Sequence, residues 1–330
     1  MKKTAAILLV VSFAILFIVS PGCIEKQNLK SDEQISDNSD SSENSFDNLN
    51  PEDFNSEDDK LKKSGEALDL LMMTKLSELS GDVCYDVEDL FLSAKKCAKI
   101  IEEEPARIML SEEQDEKFSL KTPDTEKLKN LKFLMAQILL ENDCVLTVSY
   151  IGNDAVVRAV YPEQEGFLTG DSLSNQKSVM DMNKNKIPVI TDIFELKQGG
   201  YAAALYYPVF LNNTYEGFIS IAFSPDIFFR DYAEKLQTNS GLELMVLQKD
   251  SLILYDPDES EIGKQTLGNP EYENFPEILK SAEKISAEWS GSTNYSYFST
   301  GTNQIVKKRQ FWTTVICGGN EWKLTVLREI

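Results

Sequence analysis

The sequence predicts an α+β protein in which a long N-terminal helix packs along two antiparallel-sheet units in tandem. Three observations carry this. Between Leu61 and Ile101 apolar residues recur at steps of three, four and seven, the mark of one stripe on a helix. From Val145 onward the chain changes to short β-rich runs bounded by Gly and Asn clusters, which are hairpin signals. Those strands follow one another without a helix between each pair, unlike the alternating pattern of a parallel α/β enzyme core.

The chain opens on Lys2-Lys3, an apolar run from Ala5 to Val19, and then Ser20-Pro21-Gly22-Cys23. A basic start, an apolar stretch and a small residue before the break form a secretory signal. The run is short for a spanning helix, which needs about 20 apolar residues. Its Gly-Cys ending resembles a lipoprotein signal, which implies removal of residues 1–22 and lipidation of Cys23. The alternative is an uncleaved anchor with an incidental cysteine; either way the remainder lies outside the cytoplasmic membrane. Residues 23–59 follow as a tether. Ser31 to Asp59 carry many acids, no Lys or Arg and few apolar residues, so they cannot bury enough surface to fold. An acidic binding tail is the other reading of that segment.

Residues 60–143 read as a helical stalk of two helices. The first carries Leu61, Leu68, Met72, Leu76, Leu79, Val83, Val87, Leu90, Ala94, Cys97 and Ile101 on one face, with Pro105 as its stop and Gly81 as a weak point. The second starts at Thr122-Pro123-Asp124 and presents Leu128, Leu131, Met135 and Ile138. The stripe is expected to be core, and the long helix also offers a surface for pairing with a second copy. On a continuous helix Cys84 and Cys97 stand roughly 20 Å apart, whereas a disulfide needs Cα atoms within about 7 Å. Cys144 could meet one of them, and Cys317 is expected to be a buried thiol that only packs.

The first sheet unit, residues 144–239, begins with a hairpin, Val145–Tyr150 and Ala155–Tyr161, across Gly152-Asn153-Asp154. A short helix around Gln176 to Met182 leads to strands over Val189–Phe194, Tyr201–Phe210 and Tyr215–Phe223. Ser224-Pro225-Asp226 then supplies an N-cap, a first-turn proline and an acid for a helix. The second unit, residues 240–330, has a strand at Leu242–Leu247, a hairpin, a helix at Phe275–Ile285 and three closing strands from Glu288 onward.

Composition narrows function. The formal net charge of −21 repels a phosphate backbone, which excludes nucleic acid as a partner. The 330-residue chain has no histidine, so no Ser-His-Asp triad, Cys-His dyad or His-ligated metal can form. No metal or cofactor is expected.

The order of long helix, second helix, sheet unit and smaller sheet unit resembles the double Cache (dCache) family of extracellular sensors, whose units are PAS-like. Asp250-Ser251-Leu252-Ile253-Leu254-Tyr255-Asp256-Pro257, followed by Ile262-Gly263-Lys264, is similar to the family's D-G-x-I-x-x-D-P hairpin and I-G-K, with Ser251 in place of the turn glycine. The resemblance implies a small-molecule pocket in the first, membrane-distal unit. Amino-acid-binding members hold the ligand carboxylate with Arg-x-Trp-Tyr. Here the run is Arg158-Ala159-Val160-Tyr161, which keeps Arg and Tyr and lacks Trp. The family's downstream Asp, which takes the ligand amine, falls on Glu195, with Asp192 close before it; Tyr206 is a further pocket residue. An Arg fork and an opposing acid suit an amino acid, and another carboxylate, an amine or a larger solute remain open. Arg158 can equally be a surface partner of Asp171 or Glu195.

The expected function is therefore a lipid-anchored extracytoplasmic solute sensor without chemistry of its own. Because the chain stops directly after its last strand, it is expected to signal through a separate membrane partner. An interaction lipoprotein that kept the fold without a pocket is the alternative. An exported hydrolase using Asp192 and Glu195 is a third.

Overall fold

The computed structural model describes residues 57–103, 125–163, 167–196, 199–299 and 304–330. The expected lipidation site Cys23, the acidic segment up to residue 56, the expected helix stop at Pro105 and the expected cap at Thr122-Pro123-Asp124 lie outside them.

The apolar stripe forms one helix, α1 (Glu57–Glu102), whose 46 residues span about 69 Å at 1.5 Å each. It starts at Glu57, ahead of the expected Lys60. Gly81 does not break it. No atom lies within 4 Å of where its Cβ would be, so the position is an open one, and a glycine there costs only about 1 kcal/mol. On the opposite face Met72, Leu76, Leu79, Val83, Val87, Leu90, Ala94 and Cys97 are all buried. A second helix, α2 (Thr125–Glu141), adds Leu131, Met135 and Ile138 to the same core.

The first unit contains β1 (Val145–Gly152), β2 (Val157–Tyr161), α3 (Lys177–Asn185), β3 (Val189–Ile190), β4 (Phe194–Glu195), β5 (Tyr201–Leu211) and β6 (Thr214–Phe223). The sheet order is β2-β1-β6-β5-β3, with β4 also on β5 and all pairs antiparallel. Asn212 and Asn213, at φ 50° and 65°, make the two-residue turn between β5 and β6. This is the positive-φ geometry that twisted hairpins prefer.

The expected strand Val189–Phe194 is instead two short ones, and the reason is competition for its hydrogen bonds. At the next rung Thr191 N still donates to Ala204 O (2.9 Å), but Ala204 N donates to Thr191 Oγ1 (3.0 Å) and not to the backbone carbonyl. Ile193 N donates to the side chain of Gln248 in the second unit (3.1 Å). The segment thus leaves β5 midway to join the other unit.

Helix α4 (Pro225–Ser240) is capped as its sequence predicts: Ser224 Oγ accepts from Ile227 N, Pro225 opens the helix, and Gly241 at φ 65° ends it. The second unit follows with β7 (Glu243–Gln248), β8 (Ile253–Tyr255), α5 (Pro276–Ala287), β9 (Ser290–Ser299), β10 (Gln304–Cys317) and β11 (Asn320–Glu329), in the order β8-β7-β11-β10-β9.

One face of each sheet packs on α1, so both units share a single large core with α2 and α4. Phe228 and Phe229 of α4 meet Trp322 of β11 (ring centroids 6.4 and 5.5 Å), which joins the units through aromatic contacts. Arg309 of β10 forks onto both carboxylate oxygens of Asp69 on α1. The faces turned away from α1 carry separate cores, one under α3 and one under α5.

Candidate functional site

A cleft of ≈ 630 Å³ opens between α3, the 187–194 segment and the turn that joins β10 to β11. Its upper wall is α3. Lys177, Asp181 and Asn185 recur there every four residues, which places them on one helical face, with Ser178 and Met182 beside them. Its floor is the segment that leaves β5, from Val189 to Asp192, with Ile187 and Phe194 as half-exposed apolar edges. Its far wall comes from the second unit, at Gly319 and Asn320.

These walls are fastened to one another. Asn320 Nδ2 donates to Thr191 O (3.2 Å) and to Asp192 Oδ1 (3.3 Å). Ile190 N donates to Gly318 O (3.0 Å). A Cβ on Gly318, which has φ +54°, would collide with Phe91 of α1 and with Ile190, so only glycine lets the turn approach this closely. The cleft therefore spans both units, and its charged side chains are two acids and one lysine.

The structure brings two of the residues singled out from the sequence to this place. Asp192 lines the cleft. Tyr206 lies beneath it, buried at 4 % exposure, with its hydroxyl 3.1 Å from Ser178 Oγ and its ring 4.6 Å from that of Phe218. Burial raises the pKa of the Tyr206 phenol despite the Ser178 hydrogen bond, so it stays protonated. Tyr206, Phe218, Met182 and Val179 fill the space between sheet and α3 with one another.

The other three stand elsewhere. Arg158 is the extra residue of a bulge, because Tyr150 pairs with Ala159 and Ile151 with Val157. Its guanidinium folds over Gly152 onto Asp154 (2.5 Å), and the two side chains are 42 % and 48 % exposed. Tyr161 pairs with Val148, whose side chain is in the α1 core, so it lies on the sheet face opposite Tyr206. Glu195 is exposed on β4, opposite Tyr201. Arg158 and Glu195 are thus not gathered around the cleft, and the hydrolase pair Asp192 and Glu195 does not share it either.

Sequence reasoning passed over Lys177, Asp181, Asn185 and Asn320. The i, i+4, i+8 spacing on a short helix was a signal for the first three. Asn320 had none, since its partner segment is remote in the chain. Among the described residues, no group of three or more His, Cys, Asp or Glu is placed to hold a metal ion. Among them, too, no helix is long and apolar enough to cross a membrane.

Residues 110–225 match the family model described as HK/GC/Chemotaxis protein-like, sensor domain. No curated protein matches the chain. Among solved structures it is similar to an extracellular ligand binding receptor from Desulfohalobium retbaense, with a TM-score of 0.57 and 18 % identity over 78 % of this chain. The match spans 40 % of that receptor. It is also similar to the ligand binding domain of the Pseudomonas aeruginosa amino acid chemoreceptor PctB in complex with L-Arg, with a TM-score of 0.55 and 11 % identity. That match covers 79 % of this chain and 88 % of the other. A third similar structure, Methyl-accepting Chemotaxis protein X, gives a TM-score of 0.57 at 11 % identity, covering 80 % of this chain and all (100 %) of that one. The fold is that of the Cache-type α+β domains found in the extracellular parts of chemoreceptors and histidine kinases. This chain shows that fold as a long N-terminal helix followed by two antiparallel sheets.

Proposed function

We propose that this chain is an extracytoplasmic, lipid-anchored small-molecule sensor or solute-binding protein whose ligand occupies the cleft between α3 and the β10–β11 turn. The observation that carries the proposal is the Asn320–Asp192 contact, through which the cleft is walled by both units at once. A ligand there changes what holds the units together, and a shift between two forms needs such differential contact. Asp181 and Asp192 supply negative charge for an ammonium group, Lys177 a cation for a carboxylate, and Ile187 and Phe194 an apolar edge. This favours an amine or zwitterion of amino-acid size.

Cys23 is the lipid attachment in this reading, residues 23–59 the tether and residues 60–143 the stalk. An acyl anchor enters one leaflet only, so the signal passes through a separate membrane-spanning partner. Arg158 and Tyr161, on β2 at one edge of the first sheet, and Glu195, on β4 towards the other edge, lie outside the cleft and take no part in this site. The packing of Tyr206, Phe218 and Met182 against one another favours a second reading, an interaction lipoprotein without a ligand.

Thermal shift of the full chain separates the two. The panel is the standard amino acids, aliphatic amines and short dicarboxylates, with L-arginine first. A ligand at 100 times its Kd adds about 2.7 kcal/mol, or several degrees at roughly 2–4 °C per kcal/mol. The sensor reading expects at least one amine or zwitterion to raise Tm, and Asp192→Asn to cancel the rise. No shift from any compound, with a cooperative melt, leaves the interaction lipoprotein.

A further inference from the structure

Two cysteines far apart in sequence meet where α1 crosses the end of β10. Cys84 is on α1 and partly exposed; Cys317, the last residue of β10, is 2 % exposed. Both belong to the packing between the helix and the second sheet. Cys317 stands within side-chain hydrogen-bonding reach of Cys84, on the side that favours the Cys84 thiolate. The backbone is held close here as well, since the next residue, Gly318, packs against Phe91 with no room for a Cβ.

The pair differs in chemistry from the remaining cysteines of the described residues. Side-chain hydrogen bonding with Cys317 draws Cys84 down to about 7, against the opposing effects of burial and of Glu88. Burial pushes Cys97 up to about 12 and Cys144 up to about 11. Cys84 is thus the accessible thiolate of the set, and thiolates are the attacking species in disulfide exchange.

We propose that Cys84 and Cys317 are a redox modification site, closing a reversible disulfide that ties α1 to the end of β10. The oxidant is a small-molecule disulfide such as oxidised glutathione. The Cys84 thiolate attacks one of its sulfurs, breaking that S–S bond, forming a mixed disulfide and releasing one glutathione thiolate. Cys317 then gives up its proton and attacks Cys84 Sγ, expelling the second glutathione thiolate. Two protein thiols are oxidised, the oxidant disulfide is reduced to two thiols, and the protons pass to the departing glutathiones. In the extracytoplasmic location proposed above, such a bond persists. The site itself does not depend on what the cleft binds. Its position has one consequence for the cleft: the residues just after Cys317 form the far wall, so the bond would fasten that wall to the stalk.

The test is a thiol map of the full chain, equilibrated in glutathione buffers from reducing to oxidising. Unreacted thiols are blocked with iodoacetamide, and the protein is digested without reduction for mass spectrometry. The expected product is a Cys84–Cys317 linked peptide that appears with oxidation. It disappears in Cys84→Ser and persists in Cys97→Ser and Cys144→Ser. The oxidised chain should also melt several degrees higher, as expected for a long closed loop. Complete alkylation of both residues at every buffer ratio overturns the proposal, as does linkage of Cys84 to Cys23, Cys97 or Cys144 in place of Cys317. Because the wild-type map answers alone, a variant that misfolds does not blunt the test.

Discussion

Strand for strand, the first sheet (β2-β1-β6-β5-β3) repeats the order of the second (β8-β7-β11-β10-β9), and one face of each packs on α1. Their other faces are finished differently. Under α3 the filling is apolar, with Ile151, Val157, Val160, Met182, Tyr206 and Phe218, and the polar side chains Lys177, Asp181 and Asn185 sit exposed at the cleft. Under α5 only Leu247, Ile253, Ile285 and Trp312 form the apolar cluster. Around them several polar groups pair internally, Gln310 with Ser281, Lys308 with Glu243 (2.5 Å), and Lys323 with Thr314 (2.8 Å) and Glu288 O (3.1 Å), while Trp312 Nε1 and Thr325 Oγ1 have no partner among the described residues. Two like scaffolds thus serve unlike ends. The second face turns most of its polar groups inward on one another, and the first leaves its polar groups exposed at the cleft.

Four substitutions break or sharpen that contrast. The largest effect is expected at the joint between the units. Trp322 is buried at 1 % exposure against Phe228 and Phe229, and Trp322→Ala should cost about 3–5 kcal/mol in a denaturant melt.

Next comes Ser251, which holds φ 73° where a glycine would be at ease. Its Oγ accepts from Leu267 N and Gln265 Nε2 (both 3.0 Å), which secures the 265–267 loop and offsets the strain. Ser251→Ala keeps the strain and loses both bonds, a loss of roughly 2 kcal/mol.

Asp256 gives a pH signature confined to the second unit. Burial is the main cause that raises its pKa from 3.8 to about 7, against the Asp258 N–H bond and nearby Lys308. An acid whose folded pKa exceeds its unfolded value holds its proton more tightly in the fold. Its contribution therefore favours the fold as pH falls from about 7 towards 4, and is lost as pH rises through 7. Asp256→Asn keeps the Oδ1 acceptor for Asp258 N, so it should raise Tm by several degrees at pH 8 and change little at pH 4.

The smallest effect is a gain. Thr325 is fully buried, and its Oγ1 is one of two buried side-chain polar atoms among the described residues that lack a hydrogen-bond partner. Thr325→Val keeps the shape and removes that hydroxyl, for an expected gain of about 1 kcal/mol by calorimetry.

Local signals in the sequence were enough for much of this architecture. The α1 stripe reads directly from Met72 to Cys97 because helix period and burial coincide. Ser224-Pro225 and Asn212-Asn213 each declare their backbone geometry through their own chemistry. What sequence could not carry depends on partners remote in the chain. Val189–Phe194 has strand composition, yet Gln248, Gly318 and Asn320 compete for its hydrogen bonds and bend it into the cleft floor. Arg158 sits in a motif-like run, but a bulge set by pairing with β1 turns it onto Asp154. Cys317 finds Cys84 only once β10 crosses α1.

The most direct test of the cleft is hydrogen–deuterium exchange on the full chain, with and without the best compound from the thermal-shift panel. If the cleft between the two units is the ligand site, protection should gather at residues 176–194 and 318–320 and be absent in Asp192→Asn. Protection centred instead on α5 and β9, or at Arg158 and Glu195 with the cleft unchanged, would contradict that assignment.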